Sequence, residues 1–141
     1  MRVTSRESPV GAKVLASRCE LRDGGWESPK QGPFEIIPTG SIAYKLALVA
    51  QGRADATISL APNNEWTVAA GILLVQAAGG IVTDLAGQPI RFNQKNTLIQ
   101  GIIATGPQMT REIRALLPTP SQLMCSSRPG KYSLNRLYLL P

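Results

Sequence analysis

The 141-residue sequence predicts an α/β fold in which a mixed, largely parallel sheet is flanked by helices. Short apolar runs typical of buried strands alternate along the chain with longer apolar runs at helical spacing. Hydrophobic residues make up 43% of the chain and charged residues 17%, which is typical of a globular rather than a disordered protein. The apolar residues are mainly Ala, Leu, Ile and Val, a mixture that suits helices packed on a sheet.

The first quarter of the chain predicts two strands separated by a long loop. Residues 1–12 are polar, and the apolar run at 13–17 predicts a buried strand. Residues 18–33 contain several Gly and Pro residues, which favour a loop. A second short strand is predicted at 34–37, ended by Pro38.

The next segment predicts a helix followed by a strand. Thr39 or Ser41 is expected to cap a helix whose apolar residues recur at helical spacing, with Gly52 as its terminating residue. Residues 55–60 alternate in character and predict a strand. The turn that follows ends at Asn64, which is expected to cap the next helix.

The last part of the α/β pattern contains the clearest helix, residues 65–78. It is apolar on nearly every side, so we expect it to be the most buried helix, with Trp66 as a packing anchor. Strands are predicted at 81–84 and 101–105, and an amphipathic helix at 109–117 closes the domain.

The domain is therefore expected to span residues 1–118, followed by a basic, disordered tail at 119–141. The tail contains three basic residues and no acid, and thus carries half of the net charge of +6. No basic run interleaved with aromatic residues occurs, so specific nucleic-acid binding is not expected.

Composition also excludes several kinds of site and location. The sequence has no His and only two distant cysteines, Cys19 and Cys125, which argues against Ser–His or Cys–His triads, a zinc site and a disulfide framework. The longest apolar stretch, residues 68–78, is too short to span a membrane. Residues 1–9 are polar and do not read as a signal peptide, so a cytoplasmic or organelle-stroma location is expected.

Three stretches, in this order and spacing, together resemble the inositol monophosphatase superfamily. They are GSIAYKLALVAQGRAD at 40–55, EWTVAAG at 65–71 followed by AAGG at 77–80, and GIIATGP at 101–107. The resemblance covers residues 13 to 117 and implies the carboxy-terminal half of the family's αβαβα sandwich. The Ser17-Arg18 and Glu65-Trp66 pairs and the Gly-Ser…Lys helix look most like the 3'(2'),5'-bisphosphate nucleotidases.

The resemblance implies a Mg²⁺-dependent phosphomonoesterase acting on a small phosphorylated substrate, either a bisphosphate nucleotide or inositol monophosphate. The family binds Mg²⁺ through a Glu on an early helix, an Asp-Pro-Ile/Leu-Asp-Gly-Thr motif, and the Asp that follows the signature Trp. This chain lacks the motif and has Thr67 at the last of these positions. We therefore expect no stable Mg²⁺ binding and no activity from the chain alone. Thr67 is otherwise an ordinary residue of a first helical turn.

On the substrate side, the resemblance implies contacts from Gly40, Ser41 and Ile42, and a contact of Lys45 with a second phosphate. The alternatives are simple N-capping by the first group and a solvent-exposed helix position for Lys45. Ser59 replaces a Glu that contacts substrate in inositol monophosphatases, which argues against inositol phosphate. A catalytically dead binding or assembly module of the same fold remains the alternative function, and self-association through the uncovered half-fold surface is expected.

Overall fold

The computed structural model describes residues 1–23 and 32–117, and the tail predicted at 119–141 lies outside them. Within these ranges, five strands form a central sheet and two short strands form a separate ladder. The central strands are β1 (Lys13–Ala16), β2 (Glu35–Pro38), β3 (Ala56–Ser59), β5 (Ile81–Thr83) and β7 (Ile102–Thr105). The ladder pairs β4 (Asn63–Asn64) with β6 (Leu98–Ile99). The helices are α1 (Arg18–Arg22), α2 (Ile42–Ala50), α3 (Glu65–Ala77) and α4 (Thr110–Leu116).

The central sheet has the strand order β2-β1-β3-β7-β5. β1 pairs in parallel with both β2 and β3, whereas β7 pairs antiparallel with both β3 and β5. Four of the five strands therefore share one direction and only β7 is reversed. The described segment between β5 and β7 contains no helix, so β7 returns antiparallel to β5 without a helical crossover. The predicted mixed, largely parallel sheet is confirmed.

Alternation along the strands separates two hydrophobic cores, one on each face of the sheet. Leu15 packs on one face with residues of α2 and α3. Its neighbour Val14 packs on the other face with Ile113 of α4. The predicted α/β architecture with helices on both faces is confirmed, and it brings the carboxyl ends of β1, β2 and β3 to one edge.

Two of the predicted local structures differ from the structure. The loop predicted at 18–33 begins with the short helix α1, because the Gly and Pro residues that favour a loop start only after Arg22. Asn64 occupies the position before α3, but its side chain makes no capping hydrogen bond. Its backbone belongs to β4 instead, and its carbonyl oxygen accepts the Thr67 hydroxyl at 2.7 Å.

The prediction that residues 65–78 form the most buried helix is wrong. α3 buries five of its thirteen residues, whereas α2 buries five of its nine. Trp66 is 67% exposed and Leu73 65% exposed, so Trp66 is not a packing anchor in the described structure. A helix that is apolar on every side needs cover on every side, and in the described residues the face of α3 that carries Trp66 and Leu73 is left exposed.

None of the helices in the described ranges is long and apolar enough to cross a membrane. α2 and α3 pack directly against each other. A Cβ atom added to Gly71 would lie 2.7 Å from Cδ1 of Leu46 and 2.8 Å from its Cβ atom. The absence of a side chain at Gly71 therefore allows the two helices to approach closely.

Candidate functional site

The predicted substrate segment lies at the edge of the sheet where parallel strands end. α1 follows β1 after one residue, Gly40 and Ser41 follow β2, and Ser59 is the last residue of β3. Ligands of open α/β sheets bind outside the carboxyl ends of the strands. The fold thus brings Ser41, Lys45 and Ser59 to one edge, together with Arg18 and Glu20 of α1.

Ser41 is the N-cap of α2 and has an unusual backbone conformation. Its φ is 57° and its ψ is 115°, and its hydroxyl oxygen accepts the Tyr44 amide at 3.4 Å. A positive φ is unfavourable for a residue with a Cβ atom, so the surrounding structure must hold it. Ser41 is exposed and Ile42 is half-buried behind it. The capping predicted for this segment is present.

Gly40 is packed against Arg18. A Cβ atom at Gly40 would lie 2.7 Å from Nη2 of Arg18, so only glycine fits here without moving the guanidinium. Arg18 is exposed, and no acid among the described residues forms an ion pair with it. Sequence reasoning used Arg18 only as part of a resemblance, whereas the structure adds it to the candidate site as a cation beside Ser41.

Lys45 is buried, with 2% of its surface exposed, so the alternative of a solvent-exposed helix lysine is wrong. It lies one turn after Ser41, whose carbonyl oxygen accepts the Lys45 amide at 3.1 Å. Burial lowers the pKa of the Lys45 ammonium below its ordinary value, and the nearby charge of Glu20 partly offsets this effect.

Glu20 is a buried carboxylate that sequence reasoning did not identify. Its Oε1 accepts the Ser59 hydroxyl at 3.0 Å and the Ala61 amide at 3.1 Å. Its Oε2 accepts the Leu60 amide at 3.2 Å. These partners lie about forty residues later in the chain, so no local pattern around Glu20 indicates them.

Ser59 is buried and occupied by protein partners. Besides donating to Glu20, its hydroxyl oxygen accepts the Asn63 amide nitrogen at 3.2 Å. The position at which the resemblance implies a substrate-contacting Glu in inositol monophosphatases is therefore used for internal hydrogen bonds here.

Thr67 lies exposed in the first turn of α3, with its hydroxyl donated to the Asn64 carbonyl oxygen. The nearby Glu65 is engaged elsewhere, because its carboxylate accepts the amides of Asn93 at 3.0 Å and Gln94 at 3.2 Å. Asp55 accepts the Lys13 amide at 2.8 Å and pairs with Arg6.

A multi-metal site needs several converging oxygen ligands. Residues 1–23 and 32–117 contain no group of three or more His, Cys, Asp or Glu side chains placed to hold an ion. The described residues therefore do not by themselves fit the Mg²⁺ site that the resemblance implies.

Comparison with known proteins identifies the family of this chain. The model of the inositol monophosphatase family matches residues 3–119. The chain belongs to the inositol monophosphatase family. Among curated relatives, the 3'(2'),5'-bisphosphate nucleotidase CysQ of Haemophilus influenzae is 35% identical over 71 residues, which is 50% of this chain and 26% of the relative. The inositol-1-monophosphatase of Bacillus subtilis is 42% identical over 64 residues, 44% of this chain and 23% of the relative.

The fold also matches solved structures of this family. The Thermotoga maritima IMPase superposes with a TM-score of 0.67 at 24% identity, over 88% of this chain and 46% of the other. This likeness shows the fold alone. The chain thus spans about half of the solved structure it matches, and the matched stretches span about a quarter of the curated relatives. Family members are phosphatases.

Proposed function

We propose that this chain supplies the substrate-facing half of a Mg²⁺-dependent phosphomonoesterase and does not hydrolyse substrate on its own. One observation carries the proposal: groups suited to an anion lie at the described edge, but no carboxylate cluster accompanies them. Arg18 and the hydroxyl of Ser41 lie beside the start of α2, whose amides favour negative charge. Lys45 is buried one turn further along the same helix.

Phosphate ester hydrolysis by metal ions needs several oxygen ligands in near-octahedral arrangement. Thr67 provides a neutral hydroxyl that is already donated within its own helix turn. We therefore infer that the missing carboxylates come from a further polypeptide segment packed against this edge. Mg²⁺ is expected to bind stably only in that assembly.

The inferred substrate is a bisphosphate nucleotide rather than inositol monophosphate. Lys45 provides a second cation for a second phosphate, which inositol 1-phosphate lacks. Ser59 is held by Glu20 and Asn63 and carries no carboxylate for a polyol hydroxyl.

The test measures phosphate release from 3'-phosphoadenosine 5'-phosphate and inositol 1-phosphate with added Mg²⁺. The purified chain is expected to release phosphate from neither, and Thr67→Asp alone should not change this. When the amino-terminal part of the Haemophilus nucleotidase is added, Thr67→Asp should give turnover of the bisphosphate. Gln76→Asp, an exposed position on the same helix, is the matched control and should give none. Mg²⁺-dependent turnover by the unsubstituted chain alone would contradict the proposal.

A catalytically dead binding or assembly module is the second candidate, and the exposed face of α3 favours it. Trp66 and Leu73 lie seven residues apart, hence on one face, and no charged residue occurs between them. An uncharged apolar face of this kind is typical of an interface.

This module would self-associate or capture a partner through α3. Sedimentation velocity should show concentration-dependent association that Leu73→Glu abolishes, while Gln108→Glu, exposed beside α4 on the other face of the sheet, leaves it unchanged. A strictly monomeric chain at all concentrations would remove the case for self-association.

A further inference from the structure

Glu20, Ser59 and Asn63 form a connected polar group at the candidate edge, called here the Glu20 network. Glu20 binds Ser59 directly, and Ser59 in turn accepts from Asn63, whose amide nitrogen also donates to the Ala61 carbonyl oxygen at 2.9 Å. The network therefore joins α1 and β3 to β4. Glu20 and Ser59 are buried to at least 97%, and Asn63 is half-buried.

The Glu20 network lies where it can hold the connection between β3 and α3 in place. Residues 60–62 form the turn between β3 and β4, and β4 leads directly into α3. Two amides of this turn, those of Leu60 and Ala61, donate to the Glu20 carboxylate. Hydrogen bonds to a charged acceptor are stronger than those between neutral groups, so one side chain from α1 fixes the path into α3.

The Glu20 carboxylate also affects the charge state of the buried Lys45 ammonium. Lys45 is almost fully enclosed, and an enclosed ammonium is stable only if negative charge or hydrogen bonds replace the water it has lost. The charge of Glu20 raises the pKa of the Lys45 ammonium and so opposes the larger effect of burial. Its presence favours the charged form of the lysine, which is the form able to attract a phosphate.

We propose that Glu20 is the positioning residue of this edge: its buried carboxylate ties α1 to the turn that leads into α3 and provides the counter-charge for the Lys45 ammonium. This proposal rests on the proposed function, because it assumes that the substrate binds at this edge. Glu20 itself is enclosed and touches no substrate. It acts through Lys45 and through the turn.

The test uses the full chain with Glu20→Gln, which keeps the shape of the side chain and removes its charge. Amide hydrogen exchange at Leu60 and Ala61 should become faster by about tenfold or more, because each loses a charged acceptor. The Lys45 pKa, measured by NMR on chains labelled at the lysine Cε, should fall further below its ordinary value. Glu35→Gln, at an exposed carboxylate of β2, should change neither.

Each measurement decides one part of the proposal. Unchanged exchange at both amides would overturn the tie between α1 and the turn. An unchanged Lys45 pKa in Glu20→Gln would overturn the counter-charge role. If Glu20 only stabilised the fold, its substitution would lower stability without changing the Lys45 pKa.

A milder substitution keeps the test decisive if Glu20→Gln does not fold. Glu20→Asp keeps the charge but shortens the side chain by one methylene group, so the carboxylate reaches the turn less well and exchange at Leu60 and Ala61 should rise by a few-fold. No change there would overturn the tie. Neither measurement requires substrate or metal, so these results are independent of the turnover assay.

Discussion

At the scale of single residues, Ser41 combines two opposing contributions to stability. Its hydroxyl caps α2, and its φ of 57° places it in a region that disfavours side chains. Ser41→Gly should relieve the backbone cost and lose only a few tenths of a kcal/mol of capping. Ser41→Ala keeps the unfavourable backbone conformation and loses the capping hydrogen bond.

We therefore expect Ser41→Ala to be less stable than Ser41→Gly by about 1 kcal/mol, as measured by urea unfolding. Ser8→Ala and Ser8→Gly, at an exposed serine of the amino-terminal segment, provide the matched pair and should differ little. Equal stability of the two Ser41 variants would mean that the observed backbone conformation carries no cost.

The burial of Lys45 predicts a pH-dependent stability. Its folded pKa lies below the ordinary value of 10.5, so the folded chain releases this proton at lower pH than the unfolded chain does. Between these two pKa values the unfolded state binds more protons, and stability therefore rises with pH. Below the folded pKa the cost of burying the charge is present in full.

Lys45→Met removes this contribution. The difference in unfolding free energy between the unsubstituted chain and Lys45→Met should shift in favour of the unsubstituted chain as pH rises from the lowered pKa toward 10.5. Chemical denaturation at a series of pH values measures this difference, and the exposed Lys95→Met is the control. If the unfolding free energies of Lys45→Met and of the unsubstituted chain change with pH in the same way, the prediction is wrong.

Sequence reasoning found part of the candidate edge and missed the rest for a physical reason. The cap of α2 is predicted as Thr39 or Ser41 because the signal is local: a hydroxyl residue after a strand-ending proline and before an apolar helix. The structure shows that Ser41 is the cap. Glu20 was not found, because its role depends on amides forty residues away. Lys45 was placed on the right helix, but whether it faces solvent or the fold depends on what packs around that helix.

At the scale of elements, the contact between α2 and α3 depends on Gly71. An added methyl group would meet the Cβ atom of Leu46 as well as the end of its side chain, so a rotamer change alone cannot relieve the clash. Gly71→Ala should therefore destabilise the chain by about 1–3 kcal/mol despite the better helix propensity of alanine.

Thermal or urea unfolding measures this loss. Ala70→Ser, an exposed substitution at the neighbouring position of the same helix, should stay within about 0.5 kcal/mol of the unsubstituted chain. A Gly71→Ala variant that is as stable as the Ala70→Ser control would show that α2 and α3 can separate without cost.

The elements that were predicted correctly are those with strong periodicity or clear terminators. Gly52 ends α2 with a φ of 71°, as expected of the residue after a helix. The elements that were missed are short: α1 has five residues, and β4 and β6 have two each. Such segments carry too few residues for a periodic pattern, and tertiary contacts decide their conformation.

At the scale of the whole molecule, the prediction that remains open concerns residues 119–141. Their composition predicts a segment that adds no packing to the domain, and the family match ends at residue 119. Deleting residues 120–141 should therefore change the melting temperature by less than about 2 °C. A loss of cooperative unfolding in the shortened chain would contradict this prediction and assign the segment to the core.

The overall architecture was predictable from the alternation of strands and helices, but the strand order was not. Alternation predicts which segments lie in the sheet and that most share one direction. It does not predict that β7 lies between β3 and β5, because this choice depends on contacts between Ile103 and its neighbours Ile58 and Thr83 across the sheet.

The reversed strand β7 also sets the order in which the sheet can be completed during synthesis. β1, β2 and β3 can pair as soon as residue 59 has left the ribosome, but β5 has no neighbour in the central sheet until residue 105 follows. Until then, β3 and β5 each present an unpaired edge, the surface through which nascent chains aggregate. A pause in translation between residues 83 and 102 should therefore increase aggregation more than a pause after residue 105.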